Sequence, residues 1–248
     1  MTNLVRVEFL KLRTTPALYA TVAIIAILTI AAATANIFLA GKQGAPALGS
    51  AENVGKVLSI GSATSVAMLI LGILISAGED RHRTILSTYL AEPRRGRILL
   101  AKLITGGALG ALGGAVFFGL TLGVALPIYA AKGVHDLPVD VSALALGTVL
   151  ITCCYGLLGV ALGALTRNTV AAIVGALVWV MIIELAILQP LAPSIAKWLP
   201  TGAGVSLTTI AQDRTSLLPP AVAALVLLGW VALVALTATR FTLGREPR

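Results

Sequence analysis

Few residues in this sequence are equipped for chemistry, and those few are scattered. Histidine occurs only at His82 and His135, and cysteine only at Cys153 and Cys154. Nucleophilic or acid–base catalysis needs an attacking group beside its base, and metal catalysis needs clustered ligands. No HExxH pattern occurs, and two adjacent cysteines suit neither a disulfide framework nor zinc-ligand spacing. They read as small packing residues in an apolar run. The nearest approach to a phosphate-binding loop runs from Gly49 to Val57. It carries one residue too many between Gly49 and Gly55, and Val57 stands where a magnesium-binding Ser or Thr belongs. Glu184 is different, because it is the only acidic residue inside an apolar run long enough to cross a bilayer. A carboxylate in hydrocarbon faces a polar cavity or a partner, or is protonated. Glu184 lies about five residues, roughly 8 Å, from the end of its run, so it could also reach the headgroups. A place in a transport path or gate and an interfacial placement both stay open. Trp179 and Trp230 lie deep in their runs, as path residues or as plain packing, whereas Trp198 reads as an interfacial anchor.

The elements that must position these groups follow from composition. Of 248 residues, 58% are hydrophobic and only 11% charged, against about 25% charged in an ordinary soluble domain. Mean hydropathy is +0.98. Such a chain has too few polar residues to cover a soluble fold, which excludes a soluble enzyme, a disordered tail and a disulfide-stapled secreted domain. The expected fold is all-α and polytopic, with six spans near 17–40, 57–77, 103–131, 141–166, 169–188 and 220–239. The third is overlong, so it is expected to tilt or to end near Pro127. Arg167 and Asn168 make a tight turn between the fourth and fifth. The first 35 residues imitate a secretory signal, but the run is long enough to span and is expected to be retained. Residues 17–248 would form a single transmembrane domain.

The net charge of +8 does not indicate nucleic acid, because the basic residues border apolar runs. With both termini cytoplasmic, thirteen of the eighteen Lys and Arg residues fall inside, and Lys42, Lys56, Lys132, Lys197 and Arg214 outside. Small residues recur at helical spacing. Gly106, Gly110 and Gly114 stand four apart on the third span, and Gly159 and Gly163 on the fourth. Such repeats let backbones approach, within one subunit or across a dimer. The outside segment 189–219 is semi-apolar and too long for a structureless loop. It reads either as a half-buried loop or as short helices, near Ile195–Leu199 and Ser206–Gln212, dipping into the outer leaflet.

The loop 78–102 is the most informative. Thr84 suits an N-cap, and Ile85, Leu86, Tyr89 and Leu90 make one apolar face of a short helix stopped by Pro93. That face has no core on the cytoplasmic side, which suggests docking. Arg94, Arg95, Arg97 and Lys102 would meet headgroups where the third span enters, unless the loop is simply solvated and its arginines only fix topology. With the segment Glu8-Phe9-Leu10-Lys11-Leu12-Arg13, six spans, and Glu79, Thr84, Ile85, Leu90, Pro93, Arg95 and Lys102 in this loop, the sequence resembles ABC type-2 permeases. These are transmembrane subunits of bacterial exporters, including bacitracin-resistance-type and drug or peptide efflux systems. The resemblance implies a non-catalytic permease in the bacterial cytoplasmic membrane, binding no cofactor itself. ATP and Mg would sit on a separate ABC ATPase subunit. It also implies an interfacial connecting helix over residues 1–16 and a coupling helix over Thr84–Glu92, so that Glu79, Thr84, Ile85, Leu86, Tyr89, Leu90 and Glu92 form the ATPase-coupling region. A second permease copy or sibling would complete a dimer surrounded by membrane lipid. The implied cargo is an amphipathic drug, peptide or lipid. A secondary carrier without an ATPase is the alternative; an intramembrane enzyme lacks the residues it needs.

Overall fold

A computed structural model describes residues 2–13, 16–42, 44–81, 95–166, 168–210 and 217–243, and every regular element among them is helical. Helix α1 (Thr2–Arg13) precedes α2 (Pro16–Phe38), the first span. A short helix α3 (Ala51–Leu58), a 3-10 turn (Ser59–Thr64) and α4 (Ser65–Arg81) form the second. The third and fourth are α5 (Arg95–Ala131) and α6 (Val141–Thr166). The fifth begins as α7 (Thr169–Leu177) and continues as a π-helix, Val178–Leu188. Three short helices follow, α8 (Gln189–Leu191), α9 (Pro193–Ala196) and α10 (Pro200–Thr208). The last span is α11 (Pro220–Leu243). Six helices are long and apolar enough to cross a membrane, and the chain is a polytopic membrane protein.

Two boundaries differ from those expected. The second span starts at Ala51, because Ser50 accepts a hydrogen bond from the Asn53 amide and caps α3 ahead of the apolar run. The third starts at Arg95 and passes through Pro127 without stopping. An internal proline removes one helical hydrogen bond, but Ala125 and Tyr129 on either side of it are buried and hold the turn. The helix ends at Ala131, and Gly133 just beyond it has a φ of 79° that lets the Val134 amide bond back to Tyr129 O at 2.9 Å. At 37 residues, α5 is about 55 Å long, against a hydrocarbon core of about 30 Å. It must project beyond the membrane.

Helix α6 is the central pillar, with 61% of its apolar window buried against 22% for the fifth and sixth spans. Glycines explain why. A Cβ on Gly159 would overlap the Leu69 carbonyl of α4 and lie 3.0 Å from Gly72 Cα. On the other flank, a Cβ on Gly110 of α5 would come within 2.9 Å of Cys153 Cα on α6. The backbones of α4, α5 and α6 therefore touch, and dispersion between them replaces the hydrophobic drive that lipid abolishes. Asp140 caps α6 through the Ala143 amide at 3.0 Å. The Ser142 hydroxyl and that amide hold its carboxyl below the ordinary range.

Polar ties define the two ends. At the terminal face, which carries α1, Lys102 Nζ donates to Ile75 O at 2.8 Å and lies 3.8 Å from Glu8 Oε2, while Thr169 Oγ1 donates to Ala77 O. Ala238 of α11 packs into the same cluster as Ile75 and Leu99. At the distal face, Tyr129 OH donates to Asn53 Oδ1 at 2.7 Å within a cluster that includes Ile37 and Leu144.

Candidate functional site

The segment after the fifth span turns back into the molecule. Helix α10 rises along α6, with the Thr201 hydroxyl 3.1 Å from Tyr155 OH at its start and Leu207 against Gly147 at its end. Tyr155 is the fifteenth residue of α6, about 21 Å from its distal end and about 16 Å from the other. The Trp198 carbonyl accepts from Trp230 Nε1 at 3.0 Å, and Trp230 lies ten residues, about 15 Å, into α11. Residues 192–208 thus form a hairpin that folds back into the bundle, its tip near Trp198–Thr201 level with the middle of α6 and α11.

This geometry corrects several expectations. Trp198 is no interfacial anchor: it lies at the tip, held through its backbone. The short helices fall at Pro193–Ala196 and Pro200–Thr208 rather than at Ile195–Leu199 and Ser206–Gln212. Prolines set both starts, because Pro193 and Pro200 stand at the first helical position, where their missing N–H is not needed. Lys197, grouped by sequence with the outer loops, is half-buried beside the tip.

Glu184 organises the tip. It is 1% exposed, so its carboxylate does not reach the headgroups. One oxygen accepts from Trp179 Nε1 on its own helix, and Oε2 accepts from the Thr201 amide at 2.8 Å. The π-helix makes the first bond possible. Residues five apart fall about 140° away from each other on an α-helix, whereas i→i+5 bonding brings them one turn apart. The Gln189 amide bonds to Glu184 O in that register. The second bond completes α10, whose N-cap Leu199 has no side-chain oxygen for the exposed amides. A carboxylate there also suits the positive end of the helix. The hairpin closes on itself through Ser206, which donates to Gly202 O at 2.8 Å and accepts from the Leu218 amide at 3.2 Å.

Below the tip a cleft of about 330 Å³ runs between α6, the fifth span and α11, lined by Leu158, Leu162, Ala172, Ala176, Trp179 and Val234 among others. Trp179 and Trp230 both border it, with Glu184 at its closed end.

The remaining sequence candidates fall elsewhere. Gly106, Gly110 and Gly114 face α6, and Gly159 and Gly163 face α4, all within this chain. Glu79 lies in the last turn of α4. Thr84, Ile85, Leu86, Tyr89, Leu90 and Glu92 lie outside the described residues, as do Pro93 and Arg94. Lys102 does not meet headgroups: it is buried, and it clamps α5 to α4 beside Glu8 of α1. Glu8 is buried too, although the sequence marked it only as part of a charged segment. The Asn53–Tyr129 pair was not anticipated at all, and Asn53 one turn after a serine cap gave the only hint of it. Cys153 and Cys154 are free thiols within α6, and no group of three metal-ligating side chains occurs among the described residues.

No curated protein matches the chain. The family model described as ABC-2 family transporter protein matches residues 2–243. By that match along nearly its whole length, the chain belongs to the ABC-2 transporter family and is a transmembrane subunit of an ABC transporter.

Proposed function

We propose that this subunit is the permease half of a bacterial exporter, driven by a separate ATPase and moving an amphipathic compound out across the cytoplasmic membrane. Both termini face the cytoplasm in this reading, by the distribution of basic residues. The segment Thr84–Glu92 docks in the ATPase, which holds the ATP and Mg. A second permease copy or sibling completes the path.

The observation that carries the reading is the buried clamp at the terminal face. Segment 82–94 joins α4 to α5, and Lys102 ties those two helices to each other beside Glu8 of α1. A displacement delivered to that segment therefore moves α4, α5 and α1 together. Glycine contacts pass it on to α6, which holds the hairpin tip through Tyr155. Glu184, Trp179 and Trp230 serve gating in this scheme: they hold the tip in place, and release of the Thr201 amide would free it.

The test is at Tyr89. Helix-in-groove docking relies on aromatic anchors whose truncation costs on the order of 2 kcal/mol. Tyr89→Ala is expected to weaken co-purification with the ATPase and to lower ATP-dependent export, more than Arg94→Ala does at matched membrane levels. Wild-type behaviour of Tyr89→Ala in both assays would remove this segment as the docking site.

A further inference from the structure

We infer that the cleft between α6, the fifth span and α11 binds one hydrocarbon chain of a phospholipid drawn from the leaflet at the terminal face. Three properties of the cleft select that occupant.

The first is polarity. Polar atoms on the lining belong to Tyr155, Thr166, Trp179, Glu184 and Trp230. Each already has a partner within the chain: Thr201 for Tyr155, Leu162 O for Thr166, Glu184 for Trp179, the Thr201 amide for Glu184 and Trp198 O for Trp230. The rest of the lining is apolar, so an occupant with a charge or a buried donor would leave most of its polar surface unpaired, and that costs it free energy. A hydrocarbon has no such requirement.

The second is shape. The lining extends along α6 from Thr166 to Tyr155, eleven residues or about 16 Å. Spread over that length, 330 Å³ gives a long, narrow channel with room for a carbon chain at ordinary van der Waals separation. A helix is about 10 Å across and does not fit. The length is also half of the roughly 30 Å hydrocarbon core, the reach of one leaflet.

The third is access. The Tyr155 end is closed by Glu184 and Pro200 under the hairpin. The other end of the lining reaches Thr166, the last residue of α6, which is exposed on the terminal face. Along one side the lining residues Ala171, Gly175 and Trp179 are exposed, and so are their neighbours Val170, Val174 and Val178. The cleft is thus continuous with the lipid-facing surface of the fifth span. A chain can slide in sideways, its headgroup staying at the level of Thr166 and its methyl end stopping below the hairpin. Gly175 keeps the groove open, since a Cβ there would meet nothing within 4 Å.

The experiment uses the purified full chain in nanodiscs of phosphatidylglycerol doped with phosphatidylcholine bearing a diazirine at the end of one acyl chain. Photoadducts are mapped by mass spectrometry. Tyr155, Leu158 and Val180 are expected to label about tenfold more than Ile104 and Leu112, exposed on α5 on either side of that depth, a factor equal to about 1.4 kcal/mol of preference. Gly175→Phe fills the groove and should bring cleft labelling down to the α5 level. Gly123→Phe, also in open space but on α5, should leave it unchanged. A probe with its diazirine beside the headgroup should label Thr166 and Ala171 instead. Cleft labelling no stronger than that of α5, or unaltered by Gly175→Phe, overturns the site. Labelling of Tyr155 by the headgroup probe overturns the orientation. No ATPase is present in this assay, so its outcome and that of the Tyr89 test are independent.

Discussion

Gly159 gives the sharpest test of the packing argument. An alanine Cβ there would overlap the Leu69 carbonyl, lie 2.9 Å from Leu69 C and stand 3.0 Å from Gly72 Cα. Carbon atoms prefer 3.5–4.0 Å, and the obstacles are backbone, so α4 and α6 must part by roughly 0.5–1 Å. A gap of that size forfeits a quarter to a half of each dispersion contact along the seam. If the seam holds about as many contacts as one buried leucine, about 40 at 0.1 kcal/mol, the loss is about 1–2 kcal/mol. Forcing atoms into a packed core typically adds 1–3 kcal/mol. We expect Gly159→Ala to destabilise by about 2–5 kcal/mol. Gly123→Ala, which meets nothing within 4 Å, should stay within about 0.5 kcal/mol of the parent. The assay is unfolding in mixed micelles of rising denaturing-detergent fraction, read by tryptophan fluorescence. Gly72→Ala opens the same seam, so the double variant should cost less than the two single costs together. Equal tolerance of Gly159→Ala and Gly123→Ala would refute the claim that backbone contact holds α4 on α6.

Two further outcomes follow from other parts of the molecule. Glu184→Ala leaves the Trp179 indole and the Thr201 amide without acceptors, at about 1–3 kcal/mol each, whereas Glu184→Gln keeps one acceptor oxygen and should cost about half as much; both should lower export, and parental stability in Glu184→Ala, by the same unfolding assay, would sink the latch. For topology, cysteines at Thr2, Gly96 and Pro247 should resist an impermeant thiol reagent in intact cells while one at Gly49 reacts, and external labelling at Gly96 would reverse the orientation.

The spans were legible because hydrocarbon imposes a single requirement, about 20 apolar residues, that composition reports directly. Their partners were not. Gly159 and Gly163 announced close packing by spacing alone, but nothing in the sequence said that α4, rather than another copy, would face them. Glu184 and Trp179 were both singled out, yet no sequence argument joined them, because a period of 3.6 residues puts positions five apart on different faces. Only the wider turns of Val178–Leu188 align them. The hairpin was one of two open readings for the same reason: its placement is fixed by contacts with Tyr155 and Trp230, distant in sequence. Lys102 looked like a headgroup anchor because a lysine at a helix entry usually is one. Its acceptor is a backbone carbonyl, Ile75 O, which no side-chain pattern reveals.

The hairpin also bears on the order in which this protein can be made. Its helices, α8 to α10, are too short to be threaded across a bilayer as independent segments. During co-translational insertion they emerge before the element that secures them. The Trp198 carbonyl acquires its donor only when Trp230 arrives, and Ser206 receives the Leu218 amide only as the chain turns into α11. Until then those groups face either water at the distal surface or the cost of unpaired burial. Seating of the tip therefore belongs to the end of biogenesis, after the translocon has released the last span. The second, third and fourth spans, which make the glycine core, can assemble well before that. A ribosome stalled short of residue 220 would leave a bundle whose rigid part is finished and whose gate is not.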